Sequence, residues 1–415
     1  MIKGETQGPI TREEETPVPV KRGFVMYVPN ASLDQVAYRA TWVMCPSAFR
    51  ELGFESTLIC GKFSGKKPPG IQVVETSLPV LNPRTGGRLR SLVEPFFAIR
   101  EMYRRKPEIV LVGPFRSSLV TILPLVVLFR LTSKLLGRHS PAFMLKADWS
   151  LDASNLSLWA TVFARALLSL STFVLDIVSF ETYCAIEKAN QLPLIRTRKL
   201  VRVPVGSPED PLLQSTYENQ LRRPIILLVS RVARMKGLDV LLNAFSRLAG
   251  RYPDWSVRLV GPVDEPIFKK ELLEIVTENS LEQRVVFIGA LDGPELYREY
   301  SHASVFCLPS VRTESWGRVK CEATANGLPV VTTDVPCARD AIEAGWLVAR
   351  AGDAEELAVR LEELMKDERE RVRVSSVAQS RQRFFRELVE IYLFALKFQL
   401  AIRKGSIINA AGQTP

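Results

Sequence analysis

The chain has 415 residues, 47% hydrophobic and 24% charged, the proportions of a globular protein rather than a collagen, a coiled coil or a disordered chain. That length exceeds one ordinary core and fits two domains of roughly 200 residues each. The net charge of +10 is uneven: residues 1–215 hold 27 Lys+Arg against 18 Asp+Glu, a net of +9, and the remaining 200 a net of only +1.

Met1 to Val20 is acidic and Pro-rich with no apolar core, so residues 1–20 read as a disordered lead-in rather than a signal peptide. A first domain then runs over 21–215. Phe24–Val28 and Ser56–Ile59 read as strands, with a helix over Gln35–Glu51 between them, where Val36, Ala40, Val43, Met44 and Ala48 fall at helical spacing. Glu108–Val112 ends at Gly113 as a buried strand. Ser118–Leu135 follows as helix, Phe143–Lys146 as strand, Leu156–Leu175 as a long apolar helix, and Ile177–Phe180 and Leu200–Val203 as strands. The linker is Gly206–Pro224, polar with three prolines.

The pattern restarts in a second domain, 216–380. Its strands are Ile225–Val229, Ser256–Val260, Val285–Ile288, Ser304–Leu308 and Val330–Thr332. They alternate with helices Leu238–Ala249, Ile267–Glu278, Pro294–His302 and Arg318–Asn326. Helices Asp353–Met365 and Arg383–Arg403 close the chain, the latter within a terminal region, 381–415. Apolar strands alternating with helices imply parallel sheets covered on both faces, so the fold class is α/β with two Rossmann-like, doubly wound domains.

Counting residues removes several functions. Six scattered cysteines form no CxxC pair, which fits reduced cytosolic thiols. Two histidines, His139 and His302, are too few for a His-rich metal site and argue against a His-based triad. The longest charge-free run, 13 residues from Ser117 to Phe129, is short of the ~20 apolar residues of a membrane span. The basic first half points to an anionic partner there or to a solubilising surface. With no zinc-finger, KH or RNP pattern, nucleic acid is not the expected one.

Two segments of the second domain carry chemistry. SRVARMKG, Ser230–Gly237, follows a strand and precedes a helix, at the sheet edge where open α/β folds bind ligands. Arg231 and Lys236 there suit a diphosphate; taken alone, they read first as a solvated basic loop. TESWGRVKCEATANGLPVVTTD, Thr313–Asp334, puts Glu314 in a loop and Glu322 eight positions on, in a helix starting near Gly317 whose N-terminal N–H groups favour an anion.

These residues resemble the family 4 (group 1) retaining glycosyltransferases of the GT-B fold. The resemblance rests on ESWGRVKCE (Glu314–Glu322) as the family's E-x7-E motif, with ATANGLPVV after it, and on SRVARMKG as its Arg-x4-Lys loop. It is strong over about 225–365 and weaker before. It implies two Rossmann-like domains facing across a cleft, with a nucleotide-diphospho sugar as co-substrate on the second and neither metal nor cofactor. By this resemblance Arg231 and Lys236 hold the diphosphate, Glu314 contacts the transferred sugar and Glu322 accepts the ribose hydroxyls. Ser315, Trp316, Gly317 and Val319 approach sugar and phosphate, and the base lies near Gly289 and Leu291. The acceptor is not identified; lipid-linked and polysaccharide acceptors are both open.

The chain departs from the family pattern in places. Pro29–Gln35, where many members are Gly-rich, has no glycine. Asp148 in LKADW either orients donor or acceptor or is a turn carboxylate. The usual Gly-Gly stretch is replaced by VPCARDAI, bringing in Arg339 and Asp340. Helices 118–135 and 156–175, beside Arg104, Arg105, Lys106, Lys134 and Arg138, either touch a membrane surface or face the core, so the expected location is the cytosol or the inner membrane face. The resemblance also implies that the last helix returns to the first domain. Two other readings remain: a non-catalytic relative that binds a nucleotide sugar or a partner protein, and a nicotinamide oxidoreductase, disfavoured because no G-x-G-x-x-G occurs.

Overall fold

The structure is a computed structural model that describes residues 22–33, 41–63, 67–76, 86–113, 116–147, 158–206, 222–312, 316–335, 337–383 and 385–403. The proposed lead-in, most of the linker, Asp148, Glu314 and Ser315 lie outside the described residues.

The first domain runs β1 (Arg22–Leu33), α1 (Thr41–Glu51), β2 (Phe54–Phe63), β3 (Gln72–Glu75), α2 (Gly86–Arg105), β4 (Ile109–Val112), α3 (Arg116–Leu135), β5 (Ala142–Lys146), α4 (Leu158–Val174), β6 (Ile177–Phe180), α5 (Tyr183–Asn190) and β7 (Leu200–Arg202). Its strands form one parallel sheet in the order β3-β2-β1-β4-β5-β6-β7.

The second domain runs β8 (Ile225–Val229), α6 (Leu238–Ala249), β9 (Ser256–Val260), α7 (Pro266–Glu278), β10 (Val285–Gly289), α8 (Gly293–His302), β11 (Val305–Leu308), α9 (Arg318–Ala325), β12 (Val330–Thr333), α10 (Ala338–Glu343), β13 (Leu347–Ala349), α11 (Ala354–Met365) and α12 (Glu368–Arg381). Its parallel sheet has the order β10-β9-β8-β11-β12-β13. In both sheets the strand order reverses at the first strand of the domain, between β1 and β4 and between β8 and β11. Such a switch point opens a crevice at the carboxyl ends of the strands.

Both sheets are covered on both faces, which explains strands that are apolar throughout. IILLV of β8 and IVLV of β4 are buried at every position. In the first sheet alternate residues of β1 feed opposite cores. Phe24, Met26 and Val28 meet α1; Val25 and Tyr27 meet the layer of α2, α3 and α4. A last helix, α13 (Phe385–Arg403), leaves the second domain and packs against α1, with Leu388, Val389, Tyr392 and Leu396 buried in the first-domain core. The Tyr392 hydroxyl lies 2.7 Å from Ser179 Oγ.

The second domain follows the expected elements closely. The first differs more. The helix expected over Gln35–Glu51 is described from Thr41, and β1 and β2 are longer than expected and pair as far as Leu33 and Phe63. The structure adds α2, β3, α10, β13 and α12, which the sequence reading did not single out.

Candidate functional site

The loop Ser230–Gly237 sits on the carboxyl edge of the second sheet and is fixed by backbone bonds to its neighbours. Ser230 N donates to Val260 O at 2.9 Å, Val232 N to Pro262 O at 2.8 Å, and Val311 N to Met235 O at 3.0 Å. The loops after β8, β9 and β11 are therefore stitched together. Gly261 N donates to Gly289 O at 2.7 Å, which joins the end of β10 to the same edge.

Two glycines make this approach possible. Gly237 has φ 69°, and a Cβ there would run into the Pro309 carbonyl oxygen. Gly261 has φ 144°, and its Cβ would collide with Ser230 O.

Arg231 projects from this loop, half-exposed, and is ion-paired with Asp264 in the neighbouring loop. Lys236 closes a short 3-10 turn, Arg234–Lys236, capped by Gly237. Arg234 turns away to Glu271 on α7. The loop thus brings Arg231 and Lys236 to the sheet edge through a sequence-local turn.

The β11-to-α9 connection forms the adjacent wall. Gly317, φ 77°, caps α9 with no side-chain cap bond. Trp316 is buried; its indole Nε1 donates to Cys321 Sγ at 3.0 Å and its ring packs 5.6 Å from that of Trp346. Val319 is half-buried. Glu322 is 4% exposed on α9, and the Tyr300 hydroxyl of α8 donates to its Oε2 at 3.0 Å. Leu291 packs partly buried against the second core, and Gly289 ends β10 at φ 91°. The structure therefore gathers Arg231, Lys236, Trp316, Gly317, Val319, Glu322, Gly289 and Leu291 on elements that meet one sheet edge.

A buried ion pair faces this edge from the first domain. Lys146, at the end of β5, and Glu181, just after β6, are 3% and 6% exposed, with Nζ and Oε1 2.6 Å apart. Glu181 Oε2 also accepts from the backbone N–H of Trp316 at 3.3 Å. The carboxyl edges of the two sheets are thus joined through one carboxylate. Neither Lys146 nor Glu181 was singled out from the sequence, because 35 positions separate them and a charged residue at a strand end reads as solvated.

A second set of contacts holds the domains together beside it. Tyr183 N donates to Asp340 Oδ2 at 2.9 Å, Arg202 pairs with Asp340 at 2.9 Å, and Arg202 and Arg339 each lie 4.0 Å from the Tyr183 ring centroid. Burial holds the Asp340 carboxyl above its ordinary range, against the opposing pull of Arg202. Asp340 and Arg339, brought in where the family pattern has its Gly-Gly stretch, are placed at the domain contact. Cys184 lies against Cys337 across the same seam; burial foremost, then that thiol, push Cys184 up to about 12. A small pocket of about 60 Å³ opens between β7, α9 and α12, lined by Arg202, Trp316, Thr324, Trp346 and Gln382. It approaches Trp316 from the side of Trp346, not from the loop of Arg231.

Residues 213–381 match the family model for glycosyl transferases group 1. The chain is 32% identical over 184 residues to a D-inositol 3-phosphate glycosyltransferase of Corynebacterium urealyticum, covering 41% of this chain and 43% of that protein. It is 31% identical over 154 residues to a phosphatidyl-myo-inositol mannosyltransferase of Mycolicibacterium smegmatis, covering 36% and 38%. The chain thus spans less than half the length of the curated relatives it matches.

Solved structures align over nearly the whole chain. Anabaena Alr3699/HepE in complex with UDP and glucose gives a TM-score of 0.65 at 16% identity, covering 90% of this chain and 99% of that one. The alpha,alpha-trehalose 6-phosphate synthase of Burkholderia multivorans gives 0.68 at 12% identity, covering 92% and 100%. At those identities the likeness speaks for the fold. Residues 213–381 are thus similar to the group 1 glycosyl transferases, and the chain has the GT-B architecture of two Rossmann-like sheets with facing carboxyl edges.

Proposed function

We propose that the protein is a retaining glycosyltransferase that moves a hexose from a nucleotide-diphospho sugar to an acceptor, without a bound metal. The observation that carries this reading is the convergence of Arg231, Lys236, the N-terminus of α9 and Glu322 on one sheet edge, opposite the first domain. Departure of a nucleoside diphosphate builds negative charge on its phosphates. Arg231 and Lys236 supply two cations to meet it, and the α9 N–H groups add aligned dipoles.

Arg231 must exchange Asp264 for phosphate. An ion pair between half-exposed side chains contributes only ~0–1 kcal/mol, so the exchange costs little. Glu322, held through Oε2 by Tyr300, accepts from the ribose hydroxyls, and Glu314 contacts the transferred sugar. The Anabaena protein is seen in complex with UDP and glucose, and the two relatives above are named for inositol 3-phosphate and phosphatidyl-myo-inositol. These names support a nucleotide sugar as donor and a polyol or lipid-linked acceptor.

The test is a thermal-shift screen against UDP-, GDP- and ADP-sugars, followed by turnover of Lys236→Ala and Glu322→Gln. One donor class is expected to stabilise the protein, Lys236→Ala to abolish that shift, and each variant to lose about 10²–10³-fold in turnover. Near-normal turnover in both variants sinks the assignment. Donor binding without transfer to any acceptor favours the non-catalytic reading, for which the glycine-free stretch from Pro29 is the motive.

A further inference from the structure

The layer of α2, α3 and α4 covers one face of the first sheet, side by side. Each helix buries one stripe on that sheet: Ala98 and Met102 on α2; Ile122, Val126 and Phe129 on α3; Leu168 on α4. The outward stripes should then be polar. They are not. On α3, Leu128, Leu131 and Leu135 recur at helical spacing and are 54%, 55% and 84% exposed. Phe96 on α2 and Phe163 on α4 are 58% and 56% exposed. More than half of the large apolar side chains left exposed among the described residues lie on these three helices and the turn after α3; those of the second domain are scattered singly.

The charges of this layer have one sign on its outside. Over their full lengths α3 and α4 contain no Asp or Glu. On α2, Glu94 is fully buried against Thr76, and Glu101 is largely buried beside Arg105 and Arg104. Arg100, Arg104, Lys134, Arg138 and Arg165 are exposed. An apolar face rimmed by cations and free, among the described residues, of exposed carboxylates complements a surface that is apolar beneath an anionic layer. No described helix is long and apolar enough to cross a membrane, so the contact is peripheral.

We infer that the outer face of α2, α3 and α4 docks the first domain on an anionic lipid bilayer, with the leucine stripe of α3 in the interfacial region and the surrounding Arg and Lys at the headgroups. This inference rests on surface chemistry alone and does not depend on the transfer reaction proposed above.

The test is co-sedimentation of the full chain with vesicles of phosphatidylcholine alone and of phosphatidylcholine with about one-third phosphatidylglycerol. Binding is expected only to the anionic vesicles. Each exposed cation removed should lower partitioning about fivefold, following ~1 kcal/mol per Lys or Arg near such a surface. Lys134→Glu with Arg165→Glu should therefore lose at least ~25-fold. Leu131→Glu with Leu135→Glu should lose binding at unchanged thermal midpoint, since both side chains are already exposed.

Equal partitioning to neutral and anionic vesicles, or none to either, overturns the inference. So does a dimer in light scattering that the leucine variant returns to monomer, since a second copy then covers the face. Loss of vesicle binding without loss of donor binding separates this surface from the site at the sheet edge.

Discussion

The Lys146–Glu181 pair offers the sharpest test of how the two domains are joined. Glu181→Ala removes the carboxylate that faces Lys146 Nζ at 2.6 Å and accepts from Trp316 N at 3.3 Å. Both side chains are more than nine-tenths buried, so water is poorly placed to take over the lost carboxylate's interactions. Removing one member of a buried pair costs ~3–5 kcal/mol. At the ~2–4 °C per kcal/mol of a 200-residue domain, the first-domain midpoint should fall by roughly 6–20 °C.

Replacing the whole pair, Lys146→Met with Glu181→Leu, removes both charges together. It should restore most of that loss, because an apolar pair of similar volume is about as stable as a buried ion pair. The part not restored belongs to Trp316 N–H, left without its acceptor at ~1–3 kcal/mol. Differential scanning calorimetry of the four proteins measures each value. A single variant within 1–2 °C of the parent, or a double variant no better than the single, would refute this account (both thresholds set by ~0.5 kcal/mol).

Three further outcomes are expected. Gly237→Ala must place a Cβ on the Pro309 carbonyl at φ 69°, so it should lose more than ~1 kcal/mol in urea unfolding, whereas Gly250→Ala, at φ −67° with open space around it, should change stability by no more than ~1 kcal/mol in either direction. Burial pushes the Cys45 and Cys321 thiols up to about 12, so the folded state keeps protons that the unfolded chain releases near 9. Stability from each is full below pH 9 and is lost as pH rises toward 12, by about 1.4 kcal/mol per thiol at pH 10. The stability gap between the parent and Cys45→Ala should narrow by that amount between pH 8 and pH 10 in urea titrations. Tyr392→Phe should cost ~1 kcal/mol through its contact with Ser179, read from the first-domain transition; a shift confined to the second domain would contradict the packing of α13.

Much of the second domain was legible because its elements are pure in period. IILLV is five buried residues in a row, and LDVLLNAFSRLA of α6 alternates faces at 3.6. Its loop chemistry is local too, with Arg231 and Lys236 within one turn. The first domain hid its elements. α2 opens on two glycines, carries Pro95 inside and has many charges, so no apolar stripe stands out. α12, ERERVRVSSVAQSR, docks through Val374, Ser375 and Ala378, too small a stripe to register. α3 is apolar on both sides, so its sequence reads as core while half of it faces outward. The buried pair of Lys146 and Glu181 was illegible for a different reason, since strand order rather than spacing brings β5 and β6 together.

The return of α13 changes what the first domain is as a unit of synthesis. Leu388, Val389, Tyr392 and Leu396 fill a core whose other walls are β1 and α1, more than 300 positions earlier. The second domain has every strand and helix of its sheet in hand by residue 381 and can close as a contiguous unit. The first must wait, with one apolar face uncovered, until α13 has been made. On the ribosome the order of completion therefore runs opposite to the order of translation, against the usual N-terminal-first sequence. A fragment ending at the linker is a sheet lacking a wall, and the natural cut for a stable piece of this protein keeps residues 222–381 and discards both ends.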